Sequence, residues 1–236
     1  MVTFVDRGVG RVLQALKDVG HQDDTCVVWI SDHGTHLNEH GAILSKRCQF
    51  NEVGRTVLKV RVPGAPSAGK HFKDLVQPPD LAPTLLDLAG VSIPARMQGE
   101  SYAPLLNGQA FKAREVAITG GAQRVAYKAR SLSITARDQR WVLVDSPDPE
   151  QRVLFDTDND PRQLADVAGD HPGEVARLHD AVVDFVRTHD AQPQVVRMWE
   201  TGKPGDMTGY VAIRPGCERY HTYFNHILNR GVLPED

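Results

Sequence analysis

The run Thr25-Cys26-Val27-Val28-Trp29-Ile30, ended by Ser31-Asp32-His33-Gly34, constrains this chain more than any other stretch. Its residues are almost all apolar and mostly β-branched or aromatic, with no period-2 alternation. That pattern predicts a strand at 25–31, buried on both faces of a parallel sheet. The polar residues that follow then stand at its carboxyl end, where open α/β sheets bind their ligands. A carboxylate and an imidazole at adjacent backbone positions suit a metal, with one hard oxygen and one borderline nitrogen. The same residues also fit a turn in which Asp32 caps the next segment and His33 is an ordinary loop histidine.

The flanks extend this picture. Val5, Val9, Val12, Leu13, Leu16 and Val19 recur at helical spacing and Gly20 follows as a C-cap, so a helix is expected over 2–19. Helix, short linker and strand make one step of a doubly wound sheet. The loop after Gly34 is polar and holds His36, His40 and Lys46. His36 reads as solvated and His40 fits a structural role in the loop. A second strand is expected around Leu58, Val60 and Val62, stopped by Pro63-Gly64-Ala65-Pro66. Asp80 reads as the N-cap of a helix that runs to Gly90, with Pro83 tolerated in the first turn. A short apolar helix is expected over 101–107. Beyond Gly108 the pattern changes to strands at 115–119, 124–136, 140–145 and 152–156, an antiparallel meander with turns such as Ser146-Pro147-Asp148-Pro149. A helix follows over 173–188, carried by Val175, Leu178, Val182, Val183, Phe185 and Val186. The Pro and Gly content of the last stretch predicts an extended tail, pinned by Tyr220, Tyr223, Phe224, Ile227 and Leu228.

Composition narrows the classes. With 236 residues the chain holds one large domain or two small ones, and 41% hydrophobic content supplies a core. A net charge of −3 favours neither nucleic acid nor a membrane surface as partner. No apolar run approaches a transmembrane length, and Met1 leads into an amphipathic pattern instead of a secretion signal. Cys26, Cys48 and Cys217 have no metal-ligand spacing, and Cys26 reads as packing within the strand. None of this fixes a compartment.

Four ordered blocks carry a resemblance. Ser31-Asp32-His33-Gly34 is followed by Asn38-Glu39-His40-Gly41 with Lys46, then by Pro79-Asp80-Leu81-Ala82-Pro83-Thr84-Leu85-Leu86-Asp87-Leu88-Ala89-Gly90, then by Gly99-Glu100-Ser101-Tyr102-Ala103-Pro104-Leu105-Leu106-Asn107-Gly108. Together they resemble the C-terminal half of a sulfatase of the alkaline phosphatase superfamily, over roughly residues 1–190. Leu154-Phe155-Asp156 with Asp160-Pro161 is similar to an element of the smaller sulfatase subdomain. The resemblance implies an α/β fold: the C-terminal portion of a doubly wound alkaline-phosphatase-like sheet over 1–110, a small antiparallel α+β subdomain over 111–190, and the tail over 191–236. Sulfatases are often periplasmic, secreted or lysosomal.

What the resemblance implies for the site can be set out residue by residue. Asp32 and His33 match the metal-binding pair of sulfatases, which shares a divalent cation with carboxylates from an earlier part of the chain. The usual metal there is Ca2+; the imidazole leaves Mn2+, Mg2+ or Zn2+ open. Lys46 matches the catalytic lysine that faces the sulfuryl group. The substrate implied is a sulfated small molecule or sugar.

The chain also departs from the family pattern. Arg55-Thr56-Val57 stands where Arg-Val-Pro is common. No cysteine lies in Cys-x-Pro-x-Arg, the motif whose cysteine or serine becomes the formylglycine nucleophile. Ser92-Ile93-Pro94-Ala95-Arg96 fits the serine form but reads as a helix-ending loop. The expectation is therefore a sulfatase shortened at its N-terminal side, with formylglycine only in the missing part, inactive alone. Such a chain would associate with itself or with a chain that supplies the other half. The alternatives are a phosphodiesterase or phosphonate hydrolase of the same superfamily, which would need a further histidine ligand for zinc, with His71 and His221 candidates by position only, or a non-catalytic remnant or subunit.

Overall fold

The structure is a computed structural model that describes residues 1–41, 50–124, 132–189, 191 and 193–203. Helix α1 (Val2–Asp18) forms where the valine and leucine spacing predicts it. Gly20 then turns the chain at a φ of 80°, which L side chains avoid. No residue of α1 is buried.

Strand β1 (Val27–Ile30) is shorter than the 25–31 expected. It pairs antiparallel with β2 (Leu58–Arg61), Val28 opposite Val60, in a two-stranded sheet. The expectation of full burial is corrected, since all four β1 residues are only half-buried. The reason lies in the neighbours. Among the described residues only β2 borders β1, and no residue of α1 is buried. The Arg61 guanidinium ties the linker down by donating to the carbonyls of Gln22 and Thr25.

The middle of the chain holds three short helices: α2 (Asn51–Gly54), α3 (Leu81–Leu88) and α4 (Ala103–Leu106). Asp80 stands at the N-cap of α3 as expected, but its carboxylate does not cap that helix. It accepts from the backbone N–H of Gln77 (2.6 Å) and of Glu100 (2.9 Å), and from the Arg114 guanidinium (2.6 Å). A single buried carboxylate therefore gathers three segments. Gly99 lets them meet, because a Cβ there would lie 2.1 Å from the Pro79 carbonyl oxygen. Gln77 extends the junction by donating from Nε2 to the Ile118 carbonyl at 2.6 Å.

Ile118 belongs to a four-stranded antiparallel sheet in the order β3 (Ala117–Arg124), β4 (Leu132–Arg137), β5 (Trp141–Asp145) and β6 (Val153–Asp156). Every residue of β5 and β6 is buried, which explains why both strands are apolar in both registers. Trp141, Leu143 and Leu154 pack with Leu178, Val182 and Trp199 of α5 (Pro172–Thr188) and α6 (Pro193–Thr201). Val142, Val144, Val153 and Phe155 form a second cluster with Phe50. Asp145, fully buried, holds both helices to the sheet. It accepts from Trp199 Nε1 (2.7 Å) and His179 Nδ1 (2.9 Å), and pairs with Arg152 Nε at 2.9 Å.

Helix α6 differs from the extended tail expected from residue 191. Pro193 opens it where no backbone donor is needed, and Val195, Met198 and Trp199 bury one face. The anchors expected at Tyr220, Tyr223, Phe224, Ile227 and Leu228 lie outside the described residues. No described helix is long and apolar enough to cross a membrane.

Asp156, at the end of β6, takes two hydrogen bonds from the Arg140 guanidinium, at 3.0 and 2.7 Å. That pairing, helped by Asn159, holds its carboxyl far below the usual carboxylate range. The stability it adds is therefore complete above about pH 4 and is lost as the pH falls below that. Urea midpoints measured from pH 5 to pH 3 should drop more steeply for the wild-type chain than for Asp156→Asn.

Candidate functional site

Backbone contacts set the Asp32–His33 turn. The Ser31 N–H donates to the Val57 carbonyl at 3.3 Å as β1 ends, and the Gly34 N–H donates to the Val53 carbonyl at 2.9 Å. Between them the Ser31 hydroxyl donates to the His33 carbonyl (2.9 Å), and Asp32 Oδ1 accepts from the His33 N–H (2.9 Å). Gly34 is obligatory. A Cβ at this position would lie 1.8 Å from the Glu52 carbonyl oxygen, a backbone atom that cannot swing aside.

The two side chains lie side by side at the end of β1. His33 Nδ1 lies 2.8 Å from the Gly34 carbonyl, which can only accept, so Nδ1 carries a proton. In the neutral ring Nε2 then presents a lone pair 3.3 Å from Asp32 Oδ2. Two acceptors at that distance repel unless a proton or a metal ion lies between them. The separation is that of neighbouring ligands on one divalent ion, and a histidine that donates its other N–H to a backbone carbonyl is the usual arrangement for a ligand. Asp32 is 84% exposed and His33 35% exposed, so both are reachable. The donor set fits a divalent cation but supplies only part of a coordination shell. Among the described residues no group of three or more His, Cys, Asp or Glu side chains converges on one point.

Behind the turn the loop is built on Phe50. His36, expected to be solvated, is fully buried, with both ring nitrogens unpartnered among the described residues. The correction follows from packing, since its ring lies edge-on to Phe50 (6.1 Å) and to His40 (5.9 Å). His40 takes the structural role. Its ring stacks on Phe50 at 3.8 Å, its Nε2 lies 3.6 Å from Glu52 Oε2, and its φ is 53°. Glu39 accepts from the Leu37 N–H at 2.5 Å, which pulls its carboxyl below the usual range. Phe50 in turn meets Phe155 of β6 at 5.7 Å, and the Asn51 N–H donates to Gln163 Oε1 at 2.7 Å. Phe50, Glu52 and Gln163 escaped the sequence reading, because a lone aromatic among polar neighbours leaves no periodic signal.

The remaining candidates scatter. Lys46, Cys48, Cys217 and His221 lie outside the described residues. His71 is exposed, and so is Ser92, in the loop after α3. Cys26 is half-buried just before β1, and burial pushes its thiol up.

A two-stranded sheet ending in an Asp-His turn, joined to a helix-backed antiparallel sheet, is the C-terminal region of an alkaline-phosphatase-like fold. A protein solved in complex with its substrate D-glucosamine-2-N,6-O-disulfate superposes with a TM-score of 0.66 at 26% identity, over 87% of this chain and 40% of that one. The phosphonate monoester hydrolase of Agrobacterium radiobacter superposes with a TM-score of 0.69 at 27% identity, over 80% of this chain and 40% of that one. In sequence, the N-acetylglucosamine-6-O-sulfatase of Bacteroides thetaiotaomicron is 31% identical over 173 residues, 71% of this chain and 31% of the relative. Arylsulfatase K of Xenopus laevis is 28% identical over 226 residues, 90% of this chain and 42% of the relative. The profile described as N-sulphoglucosamine sulphohydrolase, C-terminal, matches residues 38–182, and the chain belongs to that sulfatase family. It spans about a third to two fifths of the length of these curated relatives. The profile match takes in Lys46 and the Phe50–Glu52 anchor and begins after Asp32 and His33.

Gly34→Ala tests the turn. The Cβ clash should cost roughly 1–3 kcal/mol in urea unfolding, and it should shift the His33 ring resonances by breaking the contact between the turn and α2.

Proposed function

We propose that this chain carries the metal-binding and sulfate-facing part of a sulfatase that hydrolyses a sulfate ester or sulfamate. The observation that supports this most is the Asp32–His33 pair, Oδ2 and Nε2 3.3 Å apart, in a chain of the sulfatase family. Asp32 and His33 hold a divalent cation, Ca2+ in preference to Mn2+, Mg2+ or Zn2+, together with carboxylates from elsewhere in the fold. When bound, that cation supplies fixed positive charge to the sulfuryl oxygens. Gly34 keeps the His33 ring turned so that Nε2 faces outward. Lys46 adds an ammonium where charge grows on the sulfuryl oxygens as the ester bond breaks. The nucleophile is a formylglycine that these residues do not encode, since Cys26, Cys48 and Cys217 all lack the Cys-x-Pro-x-Arg setting. Ser92, in an exposed loop, is left out.

The substrate proposed is a sulfated sugar. A glucosamine disulfate is the substrate in one structural neighbour, and an N-acetylglucosamine sulfatase is among the relatives. A second reading, phosphonate monoester hydrolysis, rests on two phosphonate hydrolases that superpose with TM-scores of 0.69 and 0.67.

The test joins this chain to the part of the Bacteroides N-acetylglucosamine-6-O-sulfatase outside its match, coexpressed with a formylglycine-generating enzyme. The 236 residues alone should not turn over 4-nitrophenyl sulfate. The joined protein should, and Lys46→Ala should lower its kcat by about 10²-fold or more with KM little changed. Faster turnover of a phenylphosphonate monoester would select the second reading. Activity of the chain alone that disappears in Ser92→Ala would overturn the proposal.

A further inference from the structure

Donors without acceptors gather around Asn51, the first residue of α2. Gln163, in the loop after β6, is 1% exposed. Its Oε1 accepts from the Asn51 N–H at 2.7 Å, which fixes the orientation of the amide, because Nε2 could only donate. Nε2, on the same carbon, is left as a buried donor with no hydrogen-bond partner among the described residues. The backbone of Gln163 has a φ of 53°, a strained value for a side chain of this size and one that folded chains retain at ligand clamps.

Two arginines meet the same residue. Arg137 of β4 is half-buried and donates from its guanidinium to Asn51 Oδ1. Among the described residues its other N–H groups have no acceptor and it pairs with no carboxylate. Arg55 stands one helical turn after Asn51, whose carbonyl accepts its N–H at 2.9 Å, and its exposed side chain is also unpaired among the described residues. Burial first, and then the Arg55 charge, hold the Arg137 guanidinium below its ordinary pKa, with Asp138 opposing them. The carboxylates nearby are engaged elsewhere. Asp138 pairs with Arg177 and accepts from the Arg140 and Trp141 N–H groups at 2.8 and 2.6 Å. Asp160 accepts from the Leu164 and Ala165 N–H groups at 2.6 and 2.8 Å, and Glu52 faces His40.

Two guanidinium groups and a buried amide N–H, with no acceptor to share, have the chemistry of an oxyanion site. The guanidinium fork matches the paired oxygens of sulfate or phosphate, and a buried donor without a partner marks a place where an ion or water is held. We infer that Arg137, Arg55 and Gln163 bind a tetrahedral oxyanion, inorganic sulfate or phosphate, against Asn51 where α2 meets β4. The anion neutralises the arginine pair and accepts from Gln163 Nε2. It also bears on the Asp32–His33 turn, since the Glu52 and Val53 carbonyls of the same helix hold Gly34. An occupied site ties that helix more firmly to the antiparallel sheet. The inference does not depend on the proposed activity.

The experiment titrates sodium sulfate, and separately sodium phosphate, into the 236-residue chain by calorimetry at neutral pH, with sodium chloride holding the ionic strength constant. Each anion should fill one saturable site per chain. Arg137→Gln should weaken both roughly tenfold or more, the loss of one charge-assisted hydrogen bond. Gln163→Glu keeps the acceptor for the Asn51 N–H and puts a carboxylate where the anion sits. It should therefore abolish the binding and raise the urea midpoint measured without anion, a result that stands even where Arg137→Gln fails to fold. Lys46→Ala should leave the affinity unchanged. Absence of saturable binding to the wild-type chain, or binding that survives Gln163→Glu, would overturn the inference. So would binding that Lys46→Ala removes, because the anion would then lie against that lysine. Stabilisation that needs molar sulfate would count against it too, since exclusion of the salt from the protein surface accounts for such an effect.

Discussion

Phe50 couples the two sheets of the molecule. One side of its ring meets Phe155 on the face of the antiparallel sheet that α5 and α6 leave free, and the other stacks on His40. Burying a ring of this size contributes on the order of 2–3 kcal/mol, enough to help set the position of a polar loop. The residues just after Phe50 then act on the turn. The Glu52 carbonyl lies against Gly34, and the Val53 carbonyl accepts its N–H. Asp32 and His33 are thus held from behind by the core of a different sheet. The Asp80 carboxylate, paired with Arg114, and Gln77, which donates to the Ile118 carbonyl, make a second junction to β3.

This arrangement bears on the chemistry. A turn fixed by backbone contacts needs no metal to order it, so a bound cation would spend none of its affinity on folding the loop. It would instead take the place between Nε2 and Oδ2, 3.3 Å apart, that a proton on Nε2 would otherwise fill. Two ligands alone cannot satisfy a calcium ion, which takes six or more oxygens. In the same unit, among the described residues, no residue of α1 is buried and β1 is paired with β2 alone.

Much of the fold was legible where side chains repeat with a period. Helices α1 and α5 and strands β5 and β6 lie within one or two residues of the expected spans, because each buries or displays a continuous stripe. The order of motifs was enough to place the chain among sulfatases, as the match over residues 38–182 shows. Legibility failed where the environment decides. The apolar run of β1 suggested cover on both faces, yet sequence cannot say what lies across from a strand. His36 looked solvated because its neighbours are polar, while the aromatic that buries it stands 14 residues further on. The Pro and Gly content after residue 190 masked the short stripe of Val195, Met198 and Trp199. Asp80 was read as a local cap and serves instead as a junction between distant segments.

The central claim is that the turn after β1 is the preformed cation-binding element of this chain. It is tested most directly by adding substoichiometric Mn2+ to the uniformly 15N-labelled chain and following paramagnetic broadening of the backbone amides. The account predicts that Ser31, Asp32, His33 and Gly34 broaden first and that Asp32→Ala removes the effect. Broadening centred on the acidic loop from Asp156 to Asp160, with residues 31–34 unaffected, would contradict it.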